Sequence, residues 1–120
     1  MKLISIVVPM YNEEEMASLF FQEVTKVLST LQDYDYEIVA VNDGSKDATF
    51  HNLKKIHRQQ LCPVKVVSFS RNFGKEAGMY AGLKHSTGED VIIMDADLQH
   101  PPSLIPIMIE GVEEGYDGVA

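Results

Sequence analysis

Leu3-Ile4-Ser5-Ile6-Val7-Val8-Pro9 opens the chain with an apolar, β-branched run from Leu3 to Val8, ended by Pro9. Such a run is consistent with a strand buried on both faces, as in a parallel sheet. The residues that follow change period. Asn12-Glu13-Glu14-Glu15 places acids where a helix dipole favours them, and Met16, Leu19, Phe20, Val24, Val27, Leu28 and Leu31 recur at helical spacing. A helix is expected from Glu13 to Leu31, and a second strand from Tyr36 to Val41.

The same alternation continues. Asn42-Asp43-Gly44-Ser45 is turn chemistry, and Asp47-Ala48-Thr49 can open a helix with Phe50, Leu53, Ile56 and His57 on one face. A third strand is expected over Val64 to Phe69, a loop over Ser70 to Gly74, and a helix over Lys75 to His85. Asp90 to Met94 reads as a fourth strand and Asp95 to His100 as a loop. Pro101-Pro102 opens a fourth helix carrying Leu104, Ile105, Ile107, Met108 and Val112, and Tyr116 to Ala120 starts a fifth strand. Strands alternating with helices predict an α/β fold with a mostly parallel sheet. The end on Gly118-Val119-Ala120 predicts a domain incomplete at its C-terminus.

Composition narrows the function. The chain has 120 residues, 45% hydrophobic and 23% charged, with a formal charge of −8. That is one globular domain's worth of chain. The acidic surplus repels nucleic acid and anionic membrane surfaces, so nucleic-acid binding by a basic surface is excluded. A phosphate-bearing ligand would need a metal ion or a local basic cluster. The single cysteine, Cys62, forms no internal disulfide. No signal-peptide pattern is present, and no apolar run reaches the roughly 20 residues that span a bilayer. The chain as given is expected to be soluble and cytoplasmic.

In open parallel sheets ligands bind beyond the carboxyl ends of the strands. There this sequence places Pro9, Tyr11, Asn12 and Glu13; then Asn42, Asp43 and Gly44; then Ser70, Arg71, Asn72, Gly74 and Lys75; then Asp95, Ala96, Asp97, Gln99 and His100. Val91-Ile92-Ile93-Met94-Asp95-Ala96-Asp97 is the sharpest element. Two carboxylates in one turn disfavour joint ionisation unless a cation sits between them, and Mg²⁺ or Mn²⁺ suits hard oxygen ligands. Gln99 adds a carbonyl oxygen. The alternative is a capping Asp beside a solvated one. Asp43 can accept from a nucleobase N–H or a ribose hydroxyl, and the alternative is an Asx-type turn. Arg71 and Lys75 bracket a loop entering a helix, where a diphosphate could be held. The alternative for Lys75 is a solvated helix-start lysine. Gly74, Gly78 and Gly82 recur every four residues, which predicts close packing of that helix on the sheet. His51, His57, His85 and His100 show no ligand spacing. Neither a Walker A loop nor a G-x-G-x-x-G is present.

Taken together, four segments in order carry a resemblance: Ile6-Val7-Val8-Pro9-Met10-Tyr11-Asn12-Glu13-Glu14, Val41-Asn42-Asp43-Gly44-Ser45-Lys46-Asp47-Ala48-Thr49, Arg71-Asn72-Phe73-Gly74-Lys75-Glu76, and Asp95-Ala96-Asp97-Leu98-Gln99-His100-Pro101-Pro102. The chain resembles family 2 glycosyltransferases of the Rossmann-like GT-A fold. Within them it looks like the polyprenyl-phosphate group of dolichol-phosphate mannosyltransferases and bactoprenol glucosyltransferases. The resemblance implies that residues 1–120 are the N-terminal, nucleotide-sugar-binding part of such a domain. It implies inverting, metal-dependent transfer of a hexose from a UDP-glucose or GDP-mannose type donor to a polyprenyl phosphate, at the cytoplasmic face of a membrane in the full-length protein. Carried over by position, Pro9, Tyr11 and Glu13 line the nucleotide pocket, and Val41 and Asp43 contact the base. Asp95, Ala96 and Asp97 hold ribose, diphosphate and metal, Gln99 assists the metal, and Arg71 and Lys75 meet the diphosphate. The catalytic base is expected downstream of Ala120. Asn42 departs from the family, where many relatives carry a second Asp. The rival expectations are a catalytically inactive nucleotide-binding fragment and another nucleotidyltransferase-like α/β binder. An unfinished sheet edge also invites self-association.

Overall fold

The computed structural model describes residues 2–31, 33–59, 63–96 and 105–106. They form β1 (Lys2–Met10), α1 (Glu14–Leu28), β2 (Tyr34–Asn42), α2 (Thr49–Gln59), β3 (Val64–Ser68), α3 (Lys75–His85) and β4 (Asp90–Ile93). The four strands make one parallel sheet in the order β3-β2-β1-β4. The α/β class and the alternation expected above both hold.

β1 lies at the centre because it is apolar on both faces. Ile4, Ile6, Val8 and Met10 join one core with α1 (Ala17, Phe20, Phe21, Val24, Leu28) and Leu53 of α2. Val7 joins Val39 and Val41 in a smaller core on the opposite face, with Ala81 of α3 against it. Two helices therefore cover one face and α3 covers the other. Gly82 makes the second contact possible: a Cβ there would lie 2.2 Å from Val7 Cγ1. Gly78 likewise approaches Pro9 and Val41. The glycine spacing at 78 and 82 is a packing device, as expected.

Three boundaries differ from expectation by more than one residue. Pro9 does not end β1, which runs on to Met10. Met10 faces β2, its carbonyl accepting from the Asp43 N–H, whereas Val7 faces β4, its carbonyl accepting from the Met94 N–H. By alternation Pro9 also faces β4, whose pairing stops at Val7, so the missing proline N–H removes no ladder bond. α1 stops at Leu28, before Leu31, because the Ser29 and Thr30 hydroxyls turn back onto the Lys26 and Val27 carbonyls. β2 begins at Tyr34, before Tyr36, since its pairing with β1 starts at Lys2↔Tyr34. The expected fourth helix falls mostly outside the described residues, although Ile105 and Pro106 are helical and Ile105 is buried in the α1 core. The expected fifth strand lies wholly outside them.

Candidate functional site

Sequence-adjacent β1, β2 and β3 step one way across the sheet, and β4 returns to the other side of β1. That reversal opens a crevice at the strands' carboxyl ends. A cavity of about 590 Å³ lies there. Pro9, Tyr11 and Glu13 line it from the β1–α1 turn, Asp43 from the end of β2, Lys75 from the start of α3, and Asp95 and Ala96 from the end of β4. Seven of the residues expected in a donor pocket thus share one cavity. A larger groove of about 680 Å³ runs between α1 and α2, lined by Phe21, Lys26, Lys55 and Ile56 among others. It lies away from the strand ends, where the polar loop residues gather.

The loops around the cavity are bound to one another. Asn12, with a positive φ of 52°, donates its N–H to Ser45 Oγ and accepts from the Lys46 N–H, both at 2.9 Å. Asparagine tolerates that conformation better than most residues. The Glu13 N–H donates to Thr49 Oγ1 at 2.8 Å, and the Asp47 carboxylate accepts from the Glu14 and Thr49 N–H groups. Burial pushes the Asp47 carboxyl up. The Thr49 hydroxyl and these N–H donors outweigh that and hold it below its ordinary value. Asp47 therefore serves the N-termini of α1 and α2 together.

Asp43 is 3% exposed. Its carboxylate accepts from the Phe73 N–H at 2.8 Å, the Gly74 N–H at 3.0 Å and Asn72 Nδ2 at 3.2 Å. The residue expected to read a base thus shapes the β3–α3 loop. Gly44, at φ +66°, brings the next loop within reach: a Cβ there would lie 2.1 Å from the Arg71 carbonyl carbon. The Asx-type turn weighed above for Asp43 is made by its neighbour Asn42, whose Oδ1 accepts from the Ser45 N–H at 3.2 Å while its Nδ2 donates to Ser68 Oγ. Gly74 departs from the packing expectation. It has φ +101° and open space where a Cβ would lie, so it serves the entry into α3 and not the sheet contact.

Across the cavity Lys75 Nζ pairs with Asp95 Oδ1 at 2.8 Å. Two expected residues stand elsewhere. The Val41 side chain is 0% exposed in the core under α3, which leaves it no surface to offer a base. Arg71 is exposed, does not line the cavity, and stacks its guanidinium 4.6 Å from the Phe73 ring centroid. Asp97 and Gln99 lie outside the described residues, and among the described residues no three metal-ligating side chains cluster. Met10, Asn72 and Gly74 also line the cavity. Asn72 and Gly74 were signalled by their place after β3, whereas Met10 was not among the residues expected at the rim.

Residues 5–120 match the profile described as Glycosyl transferase family 2. The chain is 50% identical over 117 residues to CsbB of Bacillus subtilis (strain 168), named as a glycosyltransferase, covering 98% of this chain and 35% of that protein. It is 46% identical over 116 residues to the bactoprenol glucosyl transferase of Shigella phage SfX, covering 97% and 37%. S. aureus TarS 1-349 in complex with UDP superposes with a TM-score of 0.69 at 28% identity, covering 95% of this chain and 32% of that one. The mannosyltransferase PcManGT from Pyrobaculum calidifontis, in complex with GDP-Man and Mn2+, gives 0.68 at 28% identity, covering 80% and 27%. The chain thus spans about a third of the length of these proteins. With the parallel sheet, the rim cavity and a profile match over nearly every residue, the chain belongs to glycosyl transferase family 2, with the GT-A fold.

Proposed function

We propose that residues 1–120 are the N-terminal, nucleotide-sugar-binding part of a hexosyltransferase. The full-length enzyme moves a hexose from a UDP- or GDP-linked donor to a polyprenyl phosphate, with inversion, at the cytoplasmic face of a membrane. The observation that carries this reading is the convergence of Pro9, Tyr11, Glu13, Asp43, Lys75 and Asp95 on one cavity at the sheet's reversal point. The bactoprenol glucosyl transferase name of a 46% identical relative supports the acceptor. No helix among the described residues is long and apolar enough to cross a membrane.

The leaving group of such a transfer is a nucleoside diphosphate, and a chain of charge −8 repels it. The donor set fits a hard divalent ion: the Asp95 carboxylate stands on the cavity wall, and the carboxylate of Asp97 and the amide oxygen of Gln99 follow within four residues of sequence. These three residues would hold Mg²⁺ or Mn²⁺, which when bound supplies Lewis-acid stabilisation of the departing diphosphate. Pro9, Tyr11 and Glu13 wall the nucleotide, Asp43 shapes the loop beside it, Ala96 leaves room for the ribose and diphosphate, and Lys75 supplies positive charge. No residue of this chain is proposed as the general base.

Calorimetric titration with UDP and with GDP, each with and without Mn²⁺, tests the reading. One nucleotide should bind, and only with the metal. Asp97→Ala should abolish that metal-dependent binding while the far-UV CD spectrum stays unchanged. Undiminished, still metal-dependent binding in Asp97→Ala would overturn the metal assignment, and no binding of either nucleotide to the folded chain would overturn the donor site.

A further inference from the structure

The 2.8 Å contact between Lys75 Nζ and Asp95 Oδ1 spans the cavity from the first residue of α3 to the loop after β4. It joins the cation the proposed function gives to the diphosphate with the carboxylate it gives to the metal. Neither group can do both jobs at once, because an ammonium against Asp95 occupies the position and supplies the charge that a divalent ion would.

The surroundings make this pair exchangeable. The Lys75 side chain is 60% exposed and that of Asp95 34%, so water competes with the contact and holds its strength low. The backbone beside it is fixed, since Asp43 binds the Phe73 and Gly74 N–H groups just before Lys75. Only the flexible four-carbon stem has to move the charge.

We propose that Lys75 is the internal counter-ion of Asp95, which holds the carboxylate against divalent cations until a diphosphate draws the ammonium away. The diphosphate half of this statement rests on the proposed function. Lys75 is then a positioning residue whose transfer couples the two ligands. A nucleoside diphosphate tightens divalent-cation binding, and by reciprocity the cation tightens nucleotide binding by the same factor.

The test is Mn²⁺ titration followed by the EPR signal of the free ion, without nucleotide and with UDP or GDP. It compares wild type, Lys75→Gln, Asp95→Asn, the double variant and Lys84→Gln, the last removing the same charge from the final turn of α3. Lys75→Gln should tighten nucleotide-free Mn²⁺ binding by about fivefold, the most a partly exposed pair sustains. It should also shrink the factor by which nucleotide improves Mn²⁺ affinity. Lys84→Gln should behave as wild type, and Lys75→Gln should have no effect on Mn²⁺ in the Asp95→Asn background. Unchanged or weaker nucleotide-free Mn²⁺ binding in Lys75→Gln overturns the proposal, as does an equal gain in Lys84→Gln or a gain that survives Asp95→Asn. If neither UDP nor GDP binds wild type, the donor reading falls, and the nucleotide-free arm still decides whether Lys75 competes for Asp95.

Discussion

Glu37→Gln removes a charge around which the far end of the sheet is built. Glu37 pairs in register with Ser5, and its side chain is 7% exposed. Burial by itself would raise its carboxyl. The Ser5 hydroxyl at 2.5 Å, the Thr87 N–H at 2.7 Å, Lys65 Nζ at 3.0 Å and the Thr87 hydroxyl at 3.1 Å outweigh burial and lower it from 4.5 to about 2. The Ser5 hydroxyl oxygen also accepts from the Gly88 N–H, so the network ties the α3–β4 turn to β1 and β2. A depression of that size is worth about 3 kcal/mol, at 1.36 kcal/mol per unit. Because the folded-state value lies below the unfolded one, the stabilisation is complete above about pH 5 and is lost as pH falls toward 2. At pH 3 about 1 kcal/mol remains, a loss of about 2 kcal/mol relative to pH 7. Urea unfolding followed by far-UV CD at pH 7 and pH 3, in wild type and Glu37→Gln, measures this. The variant should be less stable at pH 7 by about 2–3 kcal/mol, since glutamine keeps one acceptor for the Thr87 N–H. At pH 3 that gap should narrow by about 2 kcal/mol. A gap that stays constant with pH would show that the network does not hold Glu37 ionised, and a gap that widens at pH 3 would reverse the sign of the argument.

Gly82→Ala should destabilise the fold by about 1–3 kcal/mol, because its Cβ meets the stiff, buried Val7 side chain. In urea titrations, Val7→Ala combined with it should cost less than the sum of the two single changes, and simple additivity would refute the contact. Gly44→Ala combines a left-handed φ with a backbone clash at Arg71 and should cost at least about 1 kcal/mol, read as a drop in thermal midpoint. Asp43→Asn should weaken protection of the Phe73 and Gly74 amides in hydrogen exchange by about 1–3 kcal/mol while leaving the central β1 amides unchanged. Equal protection in both proteins would mean Asp43 does not hold that loop.

Much of the fold is legible because its core strands carry little but apolar side chains. Leu3 to Val8 read as consistent with a strand buried on both faces, and α3 was preceded by a loop over Ser70 to Gly74. The misread strand boundaries share a cause, whereas the end of α1 is set by local hydroxyl bonds. The start of β2 at Tyr34 follows from its pairing with Lys2 of β1, which no local pattern shows. Ser5, Lys65 and Thr87, the partners of Glu37, lie 32, 28 and 50 residues away along the chain. Pro9 reads as a strand end until the direction of its missing N–H is known. The site divides the same way. The residue types after each strand identified nine cavity residues by position, but whether a side chain faces the cavity or the core depends on strand pleat and loop path. Val41 lies in the core and Arg71 stacks on Phe73 for that reason, and neither lines the cavity.

By itself, the sequence determined the class of fold, the order of its elements and the rim where polar residues gather. Those follow from hydrophobic period and turn chemistry, which are local properties of the chain. Only tertiary structure decided which rim residues face a ligand and which hold the rim together. Asp43 is the clearest case: as a residue type it suits a nucleobase, yet backbone donors 30 and 31 residues further on take up its carboxylate. Lys75 and Asp95 show the same thing with charge. Twenty residues separate them in sequence, and the return of β4 to the side of β1 sets them 2.8 Å apart. Hydrogen-bond and ion-pair partners are matters of three-dimensional proximity, and no local pattern encodes them.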